Sequence, residues 1–281
     1  MVVRIVTDST ADIPLAQARA LDITIVPLTV FFGEQAFLDA VELDTATFYQ
    51  KLQTSPVLPR TSQPPPAAFE QAYARLIEEG ADAIISVHVS SKLSGTYQSA
   101  CNGRDALPEA LKHVPIVVID SESVSLGMGT SIMMAAEEAR QGQDRAAIEA
   151  RLRDRLARVR ILCTPATLEY LHRGGRIGAA KTLLGNMLSM KPILTFKDGI
   201  IVPVEQPRTR SKAYARIAQM IQEMAEPESI VVIGSDDAVC EQLVQAVRQV
   251  YKGELPLYKL GAAVGTYGGP GIVGVAIIAH P

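Results

Sequence analysis

Residues 84–101 constrain the fold more than any other stretch of this chain. Ile84-Ile85-Ser86-Val87-His88-Val89 is rich in β-branched side chains, Ser90-Ser91-Lys92-Leu93-Ser94-Gly95 is a hydroxyl-rich turn, and Thr96-Tyr97-Gln98-Ser99-Ala100-Cys101 can wind into a helix. A strand feeding a helix through a short turn is the unit from which parallel sheets are built. Ser94, followed by glycine at the mouth of that helix, offers a hydroxyl and unpaired backbone N–H groups to a small anion. It reads equally well as an ordinary helix-capping serine.

The same alternation continues on both sides. Residues 2–7 read as a buried strand, residues 8–14 as a loop capping a helix through Leu21, and residues 23–28 as a second strand with a hairpin extension through Phe32-Gly33-Glu34. A helix runs from Asp44 with Phe48, Tyr49 and Leu52 on one face. Pro56, Pro59, Pro64, Pro65 and Pro66 then surround Arg60-Thr61-Ser62-Gln63, which predicts a stiff loop holding a hydroxyl pair. A helix from Pro66 to Gly80 leads into the opening strand, and residues 114–119 form another strand ending in Asp120-Ser121-Glu122-Ser123. Two helices, 127–141 and 144–157, complete a doubly wound, mostly parallel sheet with polar strand ends, where ligands of such sheets bind.

The remainder reads as a mixed-sheet α/β domain. Residues 159–163 are a strand, and Thr164 with Pro165 predicts a short helix to Leu171 followed by the basic turn His172-Arg173-Gly174-Gly175-Arg176. Residues 177–190 read as an apolar, methionine-bearing helix. Residues 193–196 and 200–204, joined by Lys197-Asp198-Gly199, form a hairpin. Helices at 209–225 and 236–250 alternate with strands at 230–233 and 255–260, then a glycine-rich loop at 261–271 precedes a last strand at 272–279. The boundary falls near Ala157, giving domains 1–157 and 158–281.

Composition narrows the function classes. The 27 basic and 30 acidic residues leave a net charge of −3, which argues against a broad nucleic-acid or membrane footprint. Residues 140–160 hold seven arginines against three acids, but without interleaved aromatics they read as a solvated face or a protein contact. Cys101, Cys163 and Cys240 supply neither a disulfide framework nor a CxxC metal site, and with no leader-like segment or run of spanning length the expectation is a cytoplasmic protein.

Serine catalysis at Ser94 lacks the G-x-S-x-G context, and His88, within a strand, reads as a packed core histidine. Asp8, Asp12, Asp120 and Glu122 could converge as metal ligands, yet each is explained by helix capping, so no metal or cofactor is expected. A phosphohydrolase using Asp8 would want a second aspartate where Thr10 stands. Loop 261–271, followed by a strand, lacks the helix a dinucleotide fingerprint needs; its glycines indicate close backbone approach to a ligand, with Tyr267 as donor, or a tight turn. Arg173 and Arg176 could clamp a phosphate, a carboxylate or a partner, or simply be exposed on a turn. Leu183, Leu184, Met187, Leu188 and Met190 give helix 177–190 an adaptable apolar face.

Taken together, Thr7-Asp8-Ser9-Thr10-Ala11-Asp12, Thr61-Ser62-Gln63-Pro64, Leu93-Ser94-Gly95-Thr96-Tyr97, Val118-Ile119-Asp120-Ser121, Leu171-His172-Arg173-Gly174-Gly175-Arg176-Ile177, Lys191-Pro192-Ile193 with Asp198-Gly199, and Gly269-Pro270-Gly271 resemble the DegV family end to end and in its usual order. The resemblance implies two α/β domains with a long-chain fatty acid between them. It also implies a non-catalytic role: the fatty-acid-binding subunit of bacterial fatty acid kinase, presenting the carboxylate to a separate ATP-using subunit for acyl phosphate formation in phospholipid metabolism. By position, the carboxylate would be held by Thr61 and Ser94, helped by Ser62, Gly95 and Thr96, with Tyr267 nearby and the acyl chain against Leu183, Met187, Leu188, Met190 and Ile193. One departure stands out: Tyr267 occupies the place, two residues before Gly-Pro-Gly, where many members have histidine. The alternative from another class is a stand-alone hydrolase or phosphatase using the Asp8 and Ser94 loops.

Overall fold

The computed structural model describes residues 1–280, and for residues 186–189 the backbone alone. The first half contains β1 (Val3–Asp8), α1 (Leu15–Ala20), β2 (Ile23–Val26), β3 (Thr29–Phe32), β4 (Gln35–Leu38), α2 (Thr45–Thr54), β5 (Arg60–Ser62) and α3 (Pro66–Glu78). It continues with β6 (Ala83–His88), α4 (Thr96–Asp105), β7 (Ile116–Asp120), α5 (Leu126–Arg140) and α6 (Arg145–Arg158). The second half contains β8 (Val159–Thr164), α7 (Glu169–Arg173), β9 (Ile193–Lys197), β10 (Ile200–Glu205) and α8 (Arg210–Gln222). It ends with β11 (Ser229–Gly234), α9 (Asp237–Val247), β12 (Leu257–Lys259), α10 (Ala262–Gly268) and β13 (Val273–Ile278).

The chain is α/β, with a parallel four-stranded sheet in the order β2-β1-β6-β7 and a mixed six-stranded sheet in the order β10-β9-β8-β13-β11-β12. The central strands of the first sheet are apolar on both faces because both are covered. Met128 and Ile132 of α5 with Ile148 and Leu152 of α6 close one face, and Phe69, Tyr73 and Leu76 of α3 with Ala100 of α4 close the other. In the second sheet only the β11–β12 pair is parallel. One face is sealed by Ile217 and Ile221 of α8 and Leu243 and Val247 of α9. Its other face turns toward α5, which thereby packs on both sheets.

The structure departs from the sequence-based expectations in four places. Within residues 56–66, Arg60–Ser62 is a short strand rather than a loop, pairing with β3 so that Thr61 lies opposite Val30 in a third sheet, β4-β3-β5. The helix expected to start at Thr164 begins instead at Glu169, because register with β13 keeps Thr164 in β8 opposite Val273. Residues 178–189 form a 3₁₀ helix, not an α-helix. Gly178 opens it at φ 55°, pressed so close to the Ile201 backbone that no Cβ fits. Finally, the glycine-rich loop contains α10. Its glycine content opposes a helix, but Gly265 lies where a Cβ would strike Phe48 and Tyr49, so close packing outweighs propensity.

The arginine-rich stretch is committed to internal pairing. Arg155 contacts Glu138 of α5 at 2.7 Å and Glu228 at 3.2 Å, while Arg158 contacts Asp154 and Glu228 at 2.7 and 2.9 Å. Cys101, Cys163 and Cys240 are free thiols. Among the described residues no helix is long and apolar enough to cross a membrane, and no three His, Cys, Asp or Glu converge on a metal position.

Candidate functional site

An apolar cavity lies between the two sheets. Leu126 and Gly127 of α5 cover it, Cys163, Leu194 and Gly274 of the six-stranded sheet form its floor, and Val89 and Leu93 close the side toward β6. Thr61, Arg176 and Tyr267 meet at one end of it, with Ser94 next to Leu93, whose carbonyl Arg176 binds; Thr10 and Ser125 also line the cavity, but their hydroxyls donate to Asp8 and Asp12.

Each of the four is held by a local device. The strand pairing of β5 fixes Thr61. Ser94 follows a turn in which the Ser94 amide donates to the Ser90 carbonyl at 3.1 Å; the Ser90 hydroxyl donates to the Gly199 carbonyl at the tip of the β9–β10 hairpin at 2.8 Å. The Ser94 hydroxyl accepts from the Thr96 amide, the first of α4, at 3.3 Å and shares a 2.8 Å hydrogen bond with the Thr96 hydroxyl. Tyr267 sits in the last turn of α10, its ring against Gly174, where any side chain would collide. Arg176 stacks its guanidinium over that ring at 4.9 Å, donates from Nε to the Leu93 carbonyl at 3.2 Å and from Nη1 to the Gly174 carbonyl at 2.8 Å. The Thr61 and Tyr267 hydroxyls are 2.7 Å apart. Two hydroxyls, a third from Ser94 and one guanidinium therefore line a cavity whose remaining hydroxyls, Thr10 and Ser125, are committed to buried carboxyls and whose other lining is mostly hydrocarbon, an arrangement suited to an amphiphile with a small anionic head.

Two buried carboxyls lie at the start of α10, and one of them, Asp12, bonds to it. Asp12, in the left-handed region at φ 54°, accepts from the Gly261 amide at 2.9 Å and from the Ser125 hydroxyl at 2.5 Å. Burial pushes its carboxyl well above the usual range, with Ser125 opposing the rise. Asp39 is buried close to Ser9 and the Ala262 and Ala263 amides, and burial raises its carboxyl to about 6 against the opposing influence of those donors. Ser125, at φ 56°, donates its amide to the Thr10 carbonyl at 2.8 Å, which turns the start of α5 onto the cavity.

Not every residue suggested by sequence lies on the cavity. Ser62 is exposed and its hydroxyl donates to the Gln63 carbonyl. Gly95 is covered by the Gln63 side chain, and Thr96 is fully buried behind Ser94. Arg173 is exposed and paired with Glu169 at 2.8 Å, on an outer groove that also touches Thr61, Arg176 and Tyr267. Leu183, Met190 and Ile193 do not line the cavity; Ile193 points into the opposite core because strand alternation turns it away from its neighbour Leu194. Met187 and Leu188 lie outside the described residues. The apolar lining missed by sequence reading includes Leu126, Cys163, Leu194, Phe196 and Gly274. Gly274, a glycine within an apolar strand, was the available signal of a close approach.

Asp8, named in the hydrolase alternative, is fully buried below the cavity. Its Oδ2 lies 3.0 Å from His88 Nδ1, His88 Nε2 lies 2.7 Å from Ser86 Oγ, and Ser86 Oγ lies 2.8 Å from Tyr73 OH. The Asp–His–Ser order resembles a catalytic triad, but Ser86 has no exposed surface and its hydroxyl is engaged on both sides. This chain of bonds ties α3 to β6 and β1.

Comparison with known proteins agrees with the architecture. A family model described as "Uncharacterised protein, DegV family" matches residues 2–280. A DegV domain-containing protein of Halalkalibacterium halodurans is 37% identical over 98% of this chain and 97% of its own. A fatty-acid-binding DegV family protein from Thermus thermophilus superposes with a TM-score of 0.88 at 34% identity, covering 100% of both chains. DegV of Bacillus subtilis, described as a fatty acid binding protein, gives 0.88 at 32% identity, again over 100% of both chains. A stearic-acid-binding protein of Eubacterium ventriosum gives 0.89 at 26% identity, covering 99% of this chain and 98% of that one. With its motifs in order, its two sheets and its full-length relatives all concordant, this chain belongs to the DegV family.

Proposed function

We propose that this protein binds a long-chain fatty acid, with the carboxylate at Thr61, Ser94 and Tyr267 beside Arg176 and the acyl chain in the cavity between a lobe of residues 1–157 and a lobe of residues 158–281. The observation that carries this reading is the make-up of the cavity: Thr61, Ser94, Tyr267 and Arg176 line it together, the other two hydroxyls, of Thr10 and Ser125, are committed to the buried Asp8 and Asp12, and hydrocarbon lines the rest. The fatty-acid binding of its structural relatives supports it.

Magnitudes divide the labour. Burying a long acyl chain at about 0.8 kcal/mol per CH₂ contributes on the order of 10 kcal/mol gross, before association costs. Hydrogen bonds to a charged head, at about 1.5–3 kcal/mol each, mostly offset its desolvation. The chain sets affinity and the polar cluster sets orientation. A binding protein of this kind needs no cofactor of its own; it presents the carboxylate, in the cytoplasm, to a separate ATP-using kinase subunit that forms acyl phosphate. The outer groove bearing Arg60 and Arg173 beside Thr61 and Tyr267 gives that partner access to the head-group end.

Organic extraction of purified protein followed by mass spectrometry tests the binding step: a stoichiometric fatty acid is expected. An empty protein that turns over generic esters or phosphates would favour the hydrolase reading instead. With a fatty acid kinase subunit and ATP, Ser94→Ala should reduce acyl phosphate formation more than lipid retention; unchanged formation would remove Ser94 from the head-group site.

A further inference from the structure

The floor of the cavity is a trough in the six-stranded sheet. Ile233, Gly274, Cys163 and Leu194 lie side by side in one row across four strands. Two residues further along each strand, and so on the same face, come Val231, Ala276, Ile161 and Phe196, with Ile201 beside Phe196. The middle of the first row is Gly274 and Cys163 and the second row has Ala276 beside Ile161, and Gly274 is so close to Cys163 and the Leu162 carbonyl that no side chain fits there. A groove for an extended chain results. Because β13 starts just after Tyr267 and its flanking loop, the Gly274 row is nearer the polar end and the Ala276 row is about 7 Å deeper.

At the deep end the trough stops. A second, polar groove lies outside, bordered by Asp120, Glu122, Arg153, Arg160 and Lys197. Ile161 and Phe196 are the two residues common to cavity and groove. Ile161 is fixed from above by Gly127 of α5, where a Cβ would strike its side chain. Phe196 is half-buried against the cluster containing Leu194 and Ile201.

We infer that Phe196, backed by Ile161, is the end wall that limits acyl chain length, separating the methyl end of the chain from a charged groove it cannot enter without loss. This rests on the fatty-acid reading. Phe196→Ala opens the wall and admits longer chains. Ile161→Phe moves the wall inward over Ala276 and favours shorter ones. Each additional methylene accommodated should raise relative retention about 4-fold, from about 0.8 kcal/mol per CH₂.

The test loads delipidated wild-type, F196A, F196L and I161F proteins with an equimolar mixture of straight-chain saturated fatty acids of increasing length, and reads the retained distribution by mass spectrometry. F196A, and F196L more weakly, should shift toward longer chains and I161F toward shorter ones. Circular dichroism identifies any variant that fails to fold, and F196L keeps an apolar side chain should F196A be lost. A distribution unchanged from wild type in the folded variants, or shifted the same way by I161F and F196L, overturns the wall. Failure of the wild-type protein to retain any fatty acid would instead overturn the reading on which the wall rests.

Discussion

The hydroxyls of Thr61 and Tyr267 lie 2.7 Å apart although 206 positions separate them in the chain. Thr61 is delivered by a three-residue edge strand of the first half and Tyr267 by the last turn of a short helix near the C-terminus, so this single bond closes the polar end of the cavity. Tyr267→Phe keeps the ring stacked on Arg176 but removes the shared hydroxyl. Fatty-acid affinity should fall about 2- to 12-fold, the equivalent of roughly 0.5–1.5 kcal/mol, in a titration with a fluorescent fatty acid. Affinity equal to wild type would show that the pair does not meet the carboxylate.

The buried chain from Asp8 to Tyr73 is a stability element. Asp8→Asn replaces one acceptor with an NH₂ group facing the amides and ring nitrogen that now donate to the carboxylate: Thr10 N, Val89 N and His88 Nδ1. Loss of about 3 kcal/mol is expected, read as a lower urea midpoint. Tyr73→Phe, at the far end, should cost about 1 kcal/mol. Equal midpoints for wild type and Asp8→Asn would mean that the network contributes nothing net.

Asp39, buried at the start of α10, makes stability pH-dependent. Its folded-state value of about 6 exceeds the ordinary 3.8 because burial disfavours the charge. Between those values the folded state binds more protons than the unfolded chain, so this group's contribution falls as pH rises from 3.8 through 6 and is level above. The span corresponds to about 3 kcal/mol. Asp39→Asn, neutral throughout, should therefore gain stability relative to wild type as pH is raised from about 5 to about 7.5. Parallel melting curves for the two proteins across that interval would refute the assignment.

Cys163 should be inert in the folded protein. Burial alone pushes its thiol up to about 12, and Cys240 is raised to about 11. Cys101 and Cys163 are both half-buried, but Cys163 faces the cavity, so Ellman's reagent at mildly alkaline pH should label Cys101 first and reach Cys163 and Cys240 only after denaturation. Rapid native labelling of Cys163 would mean that the cavity opens readily to solvent.

Local chemistry determined much of this protein. The β-branched run at residues 84–89, the helix-capping aspartates Asp44, Asp144 and Asp236, and the turn Lys197-Asp198-Gly199 specify strands, helix starts and a hairpin from neighbouring residues alone, and the structure has them. Hydroxyl and basic residues in tight turns likewise marked Ser94 and Arg176 as groups that could meet an anion and Tyr267 as a donor to a ligand, whereas the carboxylate role of Thr61 came from the family resemblance. Tertiary structure decided the rest, because it depends on groups far apart in the chain. Helix α10 forms where glycine content argues against it, since Phe48 and Tyr49 leave room only for Gly265 and the distant Asp12 carboxylate accepts from the Gly261 amide at its start. The cavity wall is Leu194 rather than Ile193, and it includes Gly274 and Cys163 but neither Leu183 nor Met190, because the face a strand residue presents is set by which sheet its neighbours pair with. Composition supplies apolar side chains in abundance, but only packing determines which of them line empty space.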